Sequence, residues 1–87
     1  IMWKSQEIDL GRRTAQQVEQ EYRVRETGPE AERLARVAAR LVPLAKRDYD
    51  VPYTVKLIDS DQVNAFAAPG GPVYFYSGLV KLADSDA

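Results

Sequence analysis

The sequence predicts an α+β fold: two helices, a small and mainly antiparallel three-stranded sheet, then the start of a third helix. Three observations predict it. Apolar residues recur at helical spacing through the front half, as Ile8, Ala15, Val18 and Tyr22, then Ala31, Leu34, Val37, Ala38, Leu41 and Ala45. After Pro52 the period changes to 2, with Tyr53, Val55 and Leu57 alternating with Thr54, Lys56 and Ile58. Beyond that, Pro69-Gly70-Gly71-Pro72 separates two short apolar runs, because proline presets one φ and glycine supplies a positive one.

The first helix is expected over about residues 5–24, with Ser5 as its cap and Gln16, Gln17, Glu19, Gln20 and Glu21 on its wet face. Gly11 lies in the apolar stripe and suits close approach of a neighbour. The second helix is expected over about 29–42. Thr27 and Glu30 have capping-box spacing, Pro29 fits a first turn, and Pro43 is expected to end or kink the helix. Strands are expected at about 53–58, 63–67 and 73–76. Ser77 or Gly78 opens a short helical turn, and Asp84-Ser85-Asp86 resembles the cap of another helix.

The composition excludes several classes of chemistry. No cysteine is present, so disulfides and thiolate catalysis are ruled out. No histidine is present either, which removes the commonest general base and the commonest neutral metal ligand. The net charge is −1 with acids and bases mixed, so no phosphate-tracking face for nucleic acid is expected. Its apolar stretches are far shorter than the ~18–20 residues that span a bilayer.

Each remaining constellation is weaker than its bland reading. Asp59, Asp61 and Asn64 invite calcium, but an EF-hand loop needs an oxygen ligand at its fifth position and glycine at its sixth, where Val63 and Asn64 stand. Gly70-Gly71 lacks the lysine and helix placement of a phosphate cradle, and reads as a hairpin turn. Tyr74 and Tyr76 have no interleaved basic residues for base stacking and are expected to cover one face of the sheet. Ser77 has no base in a recognisable relation to it. From chemistry alone, no catalytic residue is assigned to this chain.

The run Val63-Asn64-Ala65-Phe66-Ala67-Ala68-Pro69-Gly70-Gly71-Pro72-Val73-Tyr74, followed by Ser77-Gly78-Leu79, resembles the stretch before the zinc helix in the HtpX, BepA, Oma and CAAX-prenyl-protease family of gluzincin metallopeptidases. Ser5 to Arg12 resembles the first helix of the periplasmic BepA-like branch, and Pro52-Tyr53-Thr54-Val55 its first strand. The resemblance implies that residues 1–87 are the N-terminal portion of one metallopeptidase domain, an incomplete zincin-like domain ending before H-E-x-x-H. In that motif two histidines one turn apart hold zinc and a glutamate serves as general base. The complete enzyme is thus expected to use zinc, while this chain holds none and is inactive alone. The zinc helix packs under the sheet in such domains, so apolar surface on Val55, Leu57, Val73 and Phe75, or on the opposite face of their strands, is expected to lie uncovered.

The resemblance also implies a site. Asn64-Ala65-Phe66 matches the Asn-Ala-aromatic strand that forms the upper rim of the gluzincin cleft, where an extended substrate pairs with the open edge. Backbone groups of Ala65 and the Asn64 amide are the expected contacts. The implied partners are an unfolded or extended polypeptide and the missing C-terminal part of the domain, with self-association as a further expectation. Periplasmic or envelope placement and a role in protein quality control follow from the resemblance alone. The alternative is a non-catalytic peptide-binding module acting by strand addition.

Overall fold

The computed structural model describes residues 1–85. Its elements are α1 (Lys4–Glu21), β1 (Val24–Arg25), α2 (Pro29–Asp48), β2 (Thr54–Ile58), β3 (Ala65–Ala67), β4 (Pro72–Tyr76) and α3 (Ser77–Ser85). The α+β class holds, but the sheet differs from expectation in two ways. It has four strands in the order β1-β2-β4-β3, and it is mixed: β2 and β4 run parallel, while β1 and β3 are antiparallel to their neighbours. The physical reason lies in the side chains. β4 is apolar throughout, buried on its Tyr74 and Tyr76 face and half-buried on its Val73 and Phe75 face, so it belongs in the middle. β3 carries the exposed alanines Ala65 and Ala67, which cannot cover anything, so it takes the edge.

The sheet is sandwiched. On one face Leu57 packs with Ala31 and Leu34 of α2 and Val80 of α3, with Val55 and Phe75 alongside. On the other, Ile58, Tyr74 and Tyr76 pack with Ala15 and Val18 of α1, Val24 and Phe66. Alternation along β2 and β4 therefore sends successive residues to two separate cores.

The helix ends depart from the expected positions for local reasons. α1 begins after Trp3, whose N–H donates to Gln6 Oε1 (3.0 Å), and Ser5 lies inside the first turn. It stops at Glu21 because Tyr22 turns extended, setting its ring against Phe66 and Tyr76 at 6.5 and 6.0 Å. The next residues, Val24 and Arg25, pair with β2 as a strand instead of continuing the helix. α2 is capped by Gly28, not Thr27, and runs through Pro43 to Asp48. Pro43 and Ala39 both face solvent, so water can satisfy the carbonyl that the missing N–H leaves unpaired. Asp84 and Ser85 continue α3, and Asp86 of the expected cap lies outside the described residues.

A polar clasp fastens α1 to the sheet. The Tyr74 hydroxyl donates to Glu19 Oε2 (2.9 Å), and Lys56 Nζ donates to both Glu19 oxygens (3.0 and 2.9 Å). Burial raises the Glu19 pKa, but hydrogen bonds from Lys56 and Tyr74 and the Lys56 charge together outweigh it, and the net shift is downward. Burial and the adjacent carboxylate push the Tyr74 hydroxyl upward. The signs fix a pH window. Glu19 contributes stability that is fully present above the ordinary carboxylate pKa of about 4.3 and is lost as pH falls through its lowered native value. Tyr74 contributes stability below about pH 10 that is lost as pH rises further. Glu19→Gln is expected to flatten the acid limb of a stability-against-pH curve measured by urea melts. Glu19→Ala is expected to cost about 1–2 kcal/mol at neutral pH, since the nearly buried Tyr74 hydroxyl loses its acceptor.

Candidate functional site

β3 lies at one edge of the sheet, as β1 does at the other, and its hydrogen-bonding phase decides what its free side offers. Tyr76 N–H donates to the Asn64 carbonyl (3.0 Å) and Ala68 N–H to the Pro72 carbonyl (2.8 Å). These bonds mark 64/76 and 68/72 as bonded pairs of an antiparallel ladder whose register also opposes Phe66 to Tyr74. Bonded and non-bonded pairs alternate, so Ala65 and Ala67 point their N–H and C=O groups away from β4. The open edge therefore presents the backbone of Ala65 and Ala67, with little side chain to obstruct an incoming strand.

The three residues singled out from sequence occupy different places. Asn64 is exposed, and its Oδ1 accepts the Ala65 N–H (2.8 Å), so the side chain lies along the edge and occupies its first donor. Ala65 is exposed and faces outward. Phe66 turns away from the edge: its ring stacks on Tyr74 at 5.2 Å and meets Tyr76 edge-on at 6.2 Å. Phe66 thus anchors the strand, while Asn64 and Ala65 reach the open side. Ala67 went unrecognised from sequence, although period-2 alternation from Ala65 is the signal that finds it.

The opposite end of the strand is set by the hairpin turn. Gly70 and Gly71 have φ of 89° and 122°, in the region that favours glycine. The turn lies directly on α1. A Cβ on Gly11 would stand 2.6 Å from the Pro69 carbonyl oxygen, and one on Gly70 would stand 2.2 Å from that of Glu7.

Beneath the sheet, between α2 and α3, runs an apolar groove of about 520 Å³. Val55, Val73 and Phe75 form part of its wall, with Val37 and Leu41 of α2 and Leu79 of α3. These sheet residues were expected to be uncovered, and they border the groove. Leu57 departs from that expectation, since it is buried beneath Ala31 and Leu34 of α2. At one side of the groove Arg33 of α2 pairs with Asp84 of α3.

The family model of peptidase family M48 matches residues 29–87, more than half of the chain. The chain belongs to peptidase family M48. The matched segment runs from the first residue of α2 and takes in the open edge, the hairpin and the groove, while α1 and β1 precede it. No curated protein matches the chain. M48 enzymes are metallopeptidases, so the donor set bears on where a metal can sit. The chain has neither histidine nor cysteine, and among the described residues no three acidic side chains converge as a metal-holding group. The described residues therefore do not fit a zinc site.

Proposed function

We propose that this chain supplies the substrate-binding edge of a zinc metalloendopeptidase of the BepA-like branch, and that the zinc ligands lie outside this sequence. The observation that carries the reading is the outward phase of Ala65 and Ala67 on an edge strand inside an M48-matched segment. An extended polypeptide adds to such an edge through main-chain bonds, which demand no particular substrate sequence. That tolerance suits unfolded proteins and a role in quality control at the periplasm or cell envelope. The remainder of the domain covers the apolar groove under Val55, Val73 and Phe75, and the isolated chain self-associates through the same surface.

Within this reading the chain performs binding and orientation. Ala65 and Ala67 align the substrate backbone, and Phe66 holds their strand by its stack on Tyr74. The Asn64 carboxamide exchanges its bond with Ala65 N–H for bonds to the substrate main chain. The test is Asn64→Ala in the complete enzyme, assayed on an unfolded protein substrate with melts on the same samples. A loss of about 1–3 kcal/mol, roughly 5- to 150-fold in kcat/KM, is expected at unchanged Tm, because the side chain is exposed. Wild-type cleavage, or a loss that follows a lower Tm, contradicts the assignment. The corresponding control is Asp61→Ala, a turn carboxylate expected to leave cleavage unchanged.

A further inference from the structure

The Ser77 side chain is polar and buried, 1% exposed. Its hydroxyl is used twice on a single residue: Ser77 Oγ donates to the Ser60 carbonyl (2.8 Å) and accepts the Ser60 N–H (3.0 Å). The next residue adds a third bond, Gly78 N–H to the Ser60 carbonyl (2.8 Å). The preceding residue holds the other end of the same loop, through Tyr76 N–H to the Asn64 carbonyl (3.0 Å). Three consecutive residues at the β4–α3 junction therefore grip both ends of segment 60–64, which delivers the chain into β3. Contact along the segment is also close. A Cβ on Gly78 would stand 2.2 Å from the Asp61 carbonyl oxygen and 2.4 Å from that of Gln62.

We infer that Ser77, with Gly78, is a positioning residue that sets the open edge of β3 relative to α3. The inference rests on the reading of that edge as the substrate strand. The side chain touches no substrate; it acts through Ser60 and the loop. Burial argues that its geometry is fixed, since a hydroxyl without room to rotate toward water must keep its two partners. The junction thereby couples two parts of the molecule: the strand that would hold the peptide and the helix that leads onward from the sheet. A hydroxyl serving only to stabilise the loop would change Tm alone, whereas a positioning hydroxyl also changes how tightly the edge receives a strand.

The experiment uses the complete enzyme, with an unfolded protein substrate and amide hydrogen exchange read over residues 60–67. Ser77→Ala is expected to raise KM about 5- to 20-fold with kcat changed less than twofold, and to speed exchange at Ser60, Gln62 and Ala65. Ser77→Cys keeps the size with a weaker hydrogen bond, and is expected to fold and fall between the two. Ala31→Gly, a buried change in α2 that leaves the bonds at Ser60 and Asn64 untouched, supplies a comparable loss of Tm and is expected to leave KM unchanged. The inference is overturned if exchange over 60–67 does not change in Ser77→Ala and Ser77→Cys, or if their KM moves no more than that of Ala31→Gly. Its failure is separable from that of the edge assignment. If Asn64→Ala impairs cleavage and the Ser77 variants do not, only the positioning role falls. If Asn64→Ala cleaves like wild type, the edge assignment falls first.

Discussion

Gly70→Ala is expected to destabilise the fold by about 2–5 kcal/mol, a large loss for a single added methyl group. Two costs combine. The residue has φ of 89°, which an L side chain adopts only at about 1–2 kcal/mol. The new Cβ would also stand 2.2 Å from the Glu7 carbonyl oxygen and 2.9 Å from its carbon. Both atoms belong to the backbone of α1, so no flexible side chain can yield. Relief requires α1 to move off the hairpin turn, and that movement would strain the Glu19–Tyr74 clasp further along the same helix. Gly11→Ala meets the same interface from the other side, where its Cβ would lie 2.6 Å from the Pro69 carbonyl oxygen. The double variant should cost less than the sum of the two, because one displacement of α1 relieves both clashes. Urea melts of the three variants measure this directly. A domain of this size has only about 5–15 kcal/mol in total, so Gly70→Ala should remove a large share of it and lower the urea midpoint accordingly.

The second large effect concerns substrate binding. Replacing Ala65 and Ala67 together by proline is expected to lower kcat/KM by about 2–4 kcal/mol, roughly 30- to 1,000-fold, in the complete enzyme. Each replacement deletes one N–H that points to the open side, and neither touches the bonds at Asn64, Phe66 and Ala68 that hold β3 to β4. Proline is tolerated on an edge strand in just this phase. Phe66→Pro is the contrast. Its N–H belongs to the ladder and its ring to the aromatic cluster, so it should lose stability first and activity as a consequence. The pair separates binding from folding: the double variant should keep its Tm within a few degrees while cleavage collapses.

Much of this arrangement was legible in the sequence. The Pro69-Gly70-Gly71-Pro72 turn announces itself by residue type, and the structure gives both glycines positive φ. Gly11, standing in an apolar stripe, pointed to a close neighbour, which proves to be the hairpin turn. Strand order was not legible. Period-2 alternation identifies a strand but is blind to its neighbours, and the parallel pairing of β2 with β4 is set by how the helices pack across the sheet. The two-residue β1 was invisible because Tyr22 fits the stripe of the first helix and the expected helix runs on to 24; the extended geometry of Tyr22 and Val24 comes from the aromatic and aliphatic core they enter. Pro43 misled in the opposite direction. Local propensity ends the helix there, and tertiary context carries it on, because the lost bond falls on the wet face. At the edge, the resemblance singles out Asn64 and Ala65, and strand alternation from Ala65 adds Ala67.

The most direct test of the edge assignment is residue-resolved amide exchange of the complete enzyme with and without a slowly cleaved extended peptide. Ala67 N–H points outward and no partner holds it among the described residues, so it should exchange fast in the free enzyme and slow markedly when the peptide is bound. Ala65 should follow it, starting from partial protection by Asn64 Oδ1. Phe66 N–H, already within the ladder, should change little. This odd–even pattern is the expected result. Unchanged exchange at Ala65 and Ala67 under saturating peptide, with protection appearing elsewhere, would contradict the account.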